Sequence, residues 1–117
     1  MTNIDNRISV ILEAADNKKA FDIKLLDISN ITTIADYFIF ASGNNERQVI
    51  AIADEIEEKM YELGYDVISK EGYREGRWVL LDYGDIVVHI FHKEDREFYN
   101  LDRLWIDARE IDIDNII

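Results

Sequence analysis

RWVLLDYGDIVVHIF, at residues 77–91, is the stretch that decides the fold, because it predicts two β-strands joined by a tight turn. Tyr83 and Gly84 are predicted to form the turn, since glycine tolerates the positive φ that the tight turns of hairpins need. The pairs predicted outward from this turn are Asp82 with Asp85, Leu80 with Val87, and Trp78 with His89. The rest of the chain is expected to pack around this hairpin.

The hairpin has two unlike faces, because side chains alternate along a strand. One face is aliphatic and mostly β-branched, which is typical of a surface beneath helices; it carries Val79, Leu81, Ile86, Val88 and Ile90. The second face combines aromatic, acidic and histidine side chains, namely Trp78, Leu80, Asp82, Asp85, Val87, His89 and Phe91. Aromatic residues mixed with a few polar groups are typical of binding surfaces. The second face is therefore predicted to meet a partner.

Two helices are predicted before the hairpin. Residues 4–16 repeat apolar side chains at helical spacing, and a longer amphipathic stretch lies between Asn45 and Gly64. Thr2 or Asn3 is expected to cap the N-terminus of the first helix. Asn45 is expected to cap the N-terminus of the second helix, with Gln48 as its capping-box partner, and Gly64 is expected to end that helix.

Strand patterns complete the prediction of the fold class. Residues 20–28 alternate as a half-exposed strand, residues 35–42 form an apolar run that suits a central strand covered on both faces, and residues 65–70 form a short strand. Residues 92–105 predict one or two short helices, anchored by Phe98, Tyr99, Leu101, Leu104 and Trp105. The predicted class is α/β (α+β), with a mixed sheet of about five strands and helices packed mainly on one face.

Composition limits both the size and the partners of the chain. Its 117 residues predict one domain at 1–105, followed by a C-terminal tail at 106–117 that is expected to be loosely held or to serve as an interaction appendix. The net charge of −12 opposes binding to nucleic acid, so a basic protein is the expected partner. The absence of cysteine and of any signal-peptide or bilayer-spanning pattern predicts a cytoplasmic protein.

No metal site or cofactor site is predicted. His89 and His92 would need Glu94 or Asp95 as further ligands to hold zinc, and no zinc signature surrounds them. A structural or interface role is favoured for both histidines.

No catalytic residue is predicted either. Residues 42–45 (SGNN) join a strand to a helix, and such a turn can hold phosphate on helix amides, as in nucleotidyltransferases. The order is Ser-Gly rather than Gly-Ser and the next strand offers only Asp66, so a helix cap with a tight turn is favoured over two-metal chemistry. Asp82 and Asp85 are placed to pair as general acid and base, but turn aspartates more often bond local amides.

Three motifs occur in the order found in a known family. They are IADYFIFASGNNERQVIAIADEIEEK at 34–59, RWVLLDYGDIVVHIFH at 77–92 and REFYNLDRLW at 96–105. Over residues 4–105 the chain resembles the ribosomal silencing factor family, also called RsfS or Iojap-related.

The resemblance implies a fold, a partner and a mode of action. Members have a nucleotidyltransferase-like α/β fold and are not known as enzymes. They bind the large-subunit ribosomal protein numbered fourteen at the intersubunit face, block joining of the small subunit sterically and repress translation under nutrient limitation. Related organelle proteins act in large-subunit assembly, and isolated members tend to be homodimers.

The contact with the partner is predicted on the second hairpin face and the segment after it. Because buried aromatic residues usually dominate protein interfaces, the predicted partner-binding residues are Trp78, Leu80, Asp82, His89, Phe91, Tyr99, Leu101 and Trp105. Asp82 and Asp85 are expected at the rim of the contact, where a single charge contributes little. The alternative is that Tyr99, Leu101 and Trp105 fold back over this face as ordinary core.

Overall fold

Two long helices cover one face of the sheet. The computed structural model describes residues 6–114 and 116, and the first helix, α1, spans Asn6–Asn17. Its apolar stripe is buried, and comprises Ile8, Ile11, Leu12, Ala14 and Ala15. The start of the predicted helix at Ile4 and its caps at Thr2 or Asn3 lie outside the described residues.

The second helix, α2, spans Glu46–Glu62 and ends as predicted. The Asn45 side chain accepts a hydrogen bond from the Gln48 amide at 2.8 Å, which confirms the N-cap. The Gln48 side chain accepts from the Asn44 amide at 2.6 Å, one residue earlier than in a standard capping box. Gly64 follows the C-cap residue Leu63 with a φ of +101°.

In the described part of the chain, the sheet has six strands in the order β3-β4-β5-β2-β1-β6. Their bounds are β1 Phe21–Asp27, β2 Tyr37–Gly43, β3 Ser69–Glu71, β4 Trp78–Asp82, β5 Ile86–His92 and β6 Arg109–Ile111. Only the central β2–β5 pair is parallel among these neighbours, so the sheet is mixed as predicted. Two short helices, α3 (Lys93–Tyr99) and α4 (Leu101–Leu104), follow β5.

The hairpin forms, but its predicted register is wrong. The observed pairs are Asp82 with Val87, Leu81 with Val88, Leu80 with His89, Val79 with Ile90, and Trp78 with Phe91. Tyr83 is a buried core residue whose amide donates to the Ile86 carbonyl at 2.9 Å, so the turn is centred on Gly84 and Asp85. The displacement covers two residues, an even number, so the side chains of the two strands keep their predicted faces, whereas Asp85 now lies in the turn.

Each face of the sheet packs a separate core. The main core lies beneath α1 and α2 and includes the aliphatic hairpin residues Val79, Leu81, Ile86, Val88 and Ile90. A smaller core lies on the opposite face and contains Leu26, Ile28, Ala35, Phe38, Phe40, Val87 and Phe91, with Trp78, Leu80, Trp105 and Ala108 packed against it. The second hairpin face is therefore partly covered rather than fully open.

Residues 109–111 join the sheet, so the expectation of a loosely held tail is wrong for them. Strand β6 pairs antiparallel with β1, and Leu25 lies opposite Ile111. Ile111, Ile113 and Ile116 pack against the main core. The Ile–Asp alternation thus places Ile111, at the end of β6, and Ile113, just beyond it, against the main core.

Candidate protein-binding face

Six rings form a cluster on the sheet face that α1 and α2 leave uncovered; we call it the aromatic face. It comprises Phe38 and Phe40 from β2, Trp78 from β4, His89 and Phe91 from β5, and Trp105 from the segment after α4. The strand residues reach this face because their positions alternate with those of the main core. Alternation thus builds a continuous aromatic surface across three neighbouring strands.

His89 lies at the centre of the aromatic face. Its ring lies 4.7 Å from Phe38 and 5.3 Å from Phe40, edge to face in both pairs, and is stacked 6.1 Å from Phe91. Phe38 in turn meets Trp105 edge to face at 4.9 Å, and Trp78 lies 5.1 Å from Phe91. Such pairs add stabilisation beyond the area they bury, so the rings hold one another in place.

His89 is neutral, with its proton on the outer nitrogen. Trp78 Nε1 donates a hydrogen bond to His89 Nδ1 at 3.2 Å, so Nδ1 is the acceptor and Nε2 carries the hydrogen. Burial lowers the pKa of His89 to about 4, because the charged form loses its water. The aromatic face therefore holds an uncharged and buried N–H donor at neutral pH.

The predicted contact residues differ in what they can present to a partner. Trp78, Leu80, Asp82 and Trp105 are half-buried, whereas His89 is 6% exposed and Phe91 is 0% exposed. Phe91 supports Trp78 from beneath and presents no surface of its own. Trp105 packs against Phe38, in agreement with the alternative prediction that it folds back over this face, but part of its side chain stays exposed to solvent. The side chains of Tyr99 and Leu101 lie outside the described part of the chain.

Exposed apolar residues lie on either side of Trp105 along the chain, and the prediction of two of them, Phe98 and Leu104, as helix anchors is wrong. Phe98 in α3 is 80% exposed, and Leu104 and Ile106 are 72% and 74% exposed. Leu104 and Ile106 flank Trp105 directly, and exposed apolar residues of this kind are typical of interaction surfaces. The apolar run at 104–106 is the sequence signal for them.

The two turn aspartates have different roles. The Asp82 carboxylate accepts from the Gly84 amide at 2.7 Å, which confirms the local role that was favoured for it. Asp85 instead accepts two hydrogen bonds from Arg7 of α1, at 2.9 and 2.7 Å. Asp85 therefore faces the helices, and its predicted place at the rim of the second face is wrong.

A buried arginine that sequence reasoning also missed anchors the segment carrying Trp105. Arg96 Nη1 donates to Ser42 Oγ at 2.8 Å and to the carbonyl of Asp22, which stands in a bulge of β1. Arg96 Nε and Nη2 donate to the Asp102 carboxylate at 3.1 and 3.0 Å, and Lys24 adds a contact at 3.2 Å. Burial alone would raise the pKa of Asp102, but the hydrogen bonds and charge of Arg96 and Lys24 outweigh it and lower the pKa.

The Ser42–Asn45 turn is occupied by the protein's own groups. Ser42 is buried and bound to Arg96, and the amides of Asn44 and Gln48 are bonded by neighbouring side chains. Glu46 places a further negative charge in the first turn of α2. This geometry opposes phosphate binding at the helix N-terminus.

The two histidines act separately. His92 Nδ1 accepts from the Glu94 amide at 3.1 Å and caps α3, while His89 belongs to the aromatic face. Within residues 6–114 and 116, no three His, Cys, Asp or Glu side chains come together in a way that could hold a metal ion.

Comparison with known proteins gives a consistent result. A family model described as "Ribosomal silencing factor during starvation" matches residues 2–117. Ribosomal silencing factor RsfS of Bacillus subtilis (strain 168) is 48% identical over 107 residues, which cover 92% of this chain and 91% of the relative. A crystal structure of a protein from Chromobacterium violaceum matches with a TM-score of 0.84 at 36% identity, covering 89% of this chain and 87% of that one. A more distant mouse relative, named mitochondrial assembly of ribosomal large subunit protein 1, is 28% identical over 84% of this chain and 44% of its own length.

The chain belongs to the ribosomal silencing factor family, which confirms the resemblance found in its sequence. The matched range also takes in the C-terminal residues that form β6. In the described part of the chain, none of the helices has the length and apolar character needed to cross a membrane.

Proposed function

We propose that this protein is a ribosomal silencing factor that acts without catalysis. It binds the ribosomal protein numbered fourteen on the large subunit, occupies the intersubunit face and prevents the small subunit from joining. Translation in the cytoplasm is thereby repressed when nutrients are limited. The family membership supports the class of function, and the aromatic face supports the place of contact.

One observation carries the proposal for the contact site. Trp78, Leu80 and Trp105 are half-buried above a second core of packed rings, on the face that the long helices do not cover. Partly exposed aromatic anchors on a rigid base are the residues that usually dominate the energy of protein interfaces. Acidic groups near the edge, such as Asp82, suit a basic ribosomal protein better than ribosomal RNA.

The proposed mechanism requires only that the protein occupies the intersubunit face of the large subunit. A protein that covers the bridging surface excludes the small subunit for as long as it stays bound, so the strength of repression follows the dissociation constant. No reacting group, cofactor or metal enters this account.

Co-sedimentation and light scattering test the proposal. The protein is expected to pellet with purified large subunits and, at micromolar excess, to slow the rise in scattering that accompanies subunit joining. If it neither pellets nor slows joining, the proposed function is wrong.

A matched pair of variants tests the site. Trp78→Ala removes a half-buried anchor of the aromatic face, and an anchor of this kind typically contributes about 2 kcal/mol or more, so binding should weaken about thirtyfold. Tyr61→Ala removes a 70% exposed ring on α2 and should leave binding unchanged. Retained binding by a folded Trp78→Ala variant would place the contact elsewhere.

The second candidate function is large-subunit assembly through the same surface. The name of the mouse relative favours it, since that protein is described by assembly of the mitochondrial large subunit. Ribosome profiles of a deletion strain separate the two functions. Accumulated immature large subunits would indicate assembly, whereas normal particles with unrestrained joining under starvation would indicate silencing.

We further propose that the free protein is a homodimer. A dimer formed through the aromatic face would compete with the large subunit. Sedimentation of the wild type and of Trp78→Ala over a range of concentrations tests this, because a dimer that uses this face should dissociate more readily in the variant.

A further inference from the structure

His89 holds a hydrogen-bond donor that the fold leaves unused. Its Nε2 atom is buried and has no hydrogen-bond partner among the described residues, although Nδ1 is bound to Trp78. The surrounding rings of Phe38, Phe40 and Phe91 are apolar and offer no oxygen acceptor. An unpaired buried N–H group destabilises the free protein, so its presence calls for an explanation.

The donor lies on the outer side of the imidazole ring. Nε2 is one of the two imidazole atoms farthest from the backbone, and side chains of a strand stand roughly perpendicular to the sheet. His89 lies on the central strand β5, and its ring packs among the rings of the aromatic face. The ring next to it is Phe38, whose outer neighbour is the half-buried Trp105.

We propose that His89 Nε2–H is a recognition donor, which binds a peptide carbonyl oxygen of the protein that docks on the aromatic face. This inference rests on the proposed function and specifies the chemistry of its contact. The Trp78–His89 bond fixes the tautomer, so Trp78 is a positioning residue as well as an anchor. A shift of the Phe38 or Trp105 ring as the partner docks opens the path to Nε2.

The surroundings favour a carbonyl over a carboxylate. His89 is neutral, and the rings about it cannot compensate a buried negative charge, so desolvating a carboxylate there would cost more than the hydrogen bond returns. The chain's net charge of −12 also opposes an acidic group on the partner. A neutral acceptor satisfies the donor without either cost.

Two substitutions separate the two nitrogens of the ring. His89→Asn keeps an acceptor near the Nδ1 position for Trp78 but lacks the outer donor. His89→Gln is long enough to place an amide N–H near the Nε2 position. Affinity for purified large subunits is measured by co-sedimentation for the wild type, for these two variants and for His89→Phe, and urea denaturation of the free proteins is measured in parallel.

A recognition role predicts unequal effects on binding. His89→Asn should weaken binding by about tenfold, because a donor that meets a buried carbonyl is lost and leaves the oxygen unpaired. His89→Gln should stay within about threefold of the wild type. His89→Phe, which removes the unpaired N–H together with the acceptor for Trp78 Nε1, should bind as weakly as His89→Asn.

Other results overturn the inference. Equal binding by wild type, His89→Asn and His89→Phe would show that Nε2–H makes no contact, while the proposed function would stand. A loss of binding in proportion to a loss of stability would make His89 purely structural. Failure of the wild type itself to bind large subunits would contradict the proposed function and this inference with it.

Discussion

The charge of one buried imidazole should make the stability of the folded chain depend on pH. His89 accepts a proton near pH 6.5 when unfolded, but burial lowers its folded pKa to about 4. Between these values the unfolded state binds more protons than the folded state. The free energy of unfolding is therefore highest above pH 6.5 and falls as the pH drops toward 4. The loss attributable to His89 is about 3 kcal/mol.

Denaturation in urea from pH 7.5 to pH 4.5 measures this loss. His89→Gln cannot titrate and serves as the reference, because the carboxylates titrate alike in both proteins. The wild-type free energy of unfolding should fall more steeply than that of the variant. Parallel curves would show that His89 keeps an ordinary pKa in the folded protein.

Replacing Arg96 by alanine should destabilise the fold strongly. The substitution leaves Asp102 without its two-point partner and removes the donor to Ser42 Oγ. Breaking a buried pair by removing one partner costs about 3–5 kcal/mol, and the partial exposure of Asp102 brings the expected loss to about 2–4 kcal/mol. Arg103→Ala, at an exposed position of α4, is the control and should change the free energy of unfolding by less than about 0.5 kcal/mol. Equal urea midpoints for the two variants would exclude an anchoring role for Arg96.

At the level of single residues, alternation predicted which side chains share a face but not how deeply each is buried. Trp78, His89 and Phe91 lie together on the second face as predicted, yet Phe91 is fully covered because neighbouring rings pack over it. The anchoring role of Arg96 could not be recognised from the sequence, since one of its hydrogen-bond acceptors lies 74 residues away in a bulge of β1. Burial of a charge depends on such distant partners.

Among the elements, the last strand carries a prediction of its own. Ile111 lies opposite Leu25 and packs on the main core, so Ile111→Asp puts an unpaired charge against apolar side chains. The free energy of unfolding should fall by about 1–3 kcal/mol. Glu110→Gln, at an exposed position of the same strand, should leave it within about 0.5 kcal/mol of the wild type. Thermal denaturation followed by circular dichroism compares the two, and matching melting curves would contradict the role given to β6.

Elements with strong local signals were predictable, and those set by distant contacts were not. The bounds of α2 follow from Asn45 and Gly64, which cap it locally. The hairpin register was wrong because Tyr83 is drawn into the main core, a tertiary effect that displaces the turn to Gly84 and Asp85. Strand β6 was missed because three residues give a weak pattern until their partner β1 is known.

For the whole molecule, net charge should govern how binding responds to salt. A chain of net charge −12 is attracted to a basic ribosomal protein but repelled by the surrounding RNA, and salt screens both interactions. Affinity for the isolated ribosomal protein should therefore fall as salt rises from about 0.05 to about 0.5 M, and affinity for the intact subunit should fall less steeply. Calorimetry with the isolated ribosomal protein and co-sedimentation with large subunits measure how affinity depends on salt in the two cases. A steeper fall with the intact subunit would indicate direct contact with RNA.

The pairing of β6 with β1 joins two segments that lie far apart in the chain, across one edge of the sheet. During synthesis β1 emerges early, and that edge cannot be completed until β6 has followed it. The segment with Arg96 and Trp105 also follows the strands beneath it, so the aromatic face is assembled after the central sheet. Under the proposed function, a newly made factor therefore becomes competent only after its β6 segment has left the ribosome.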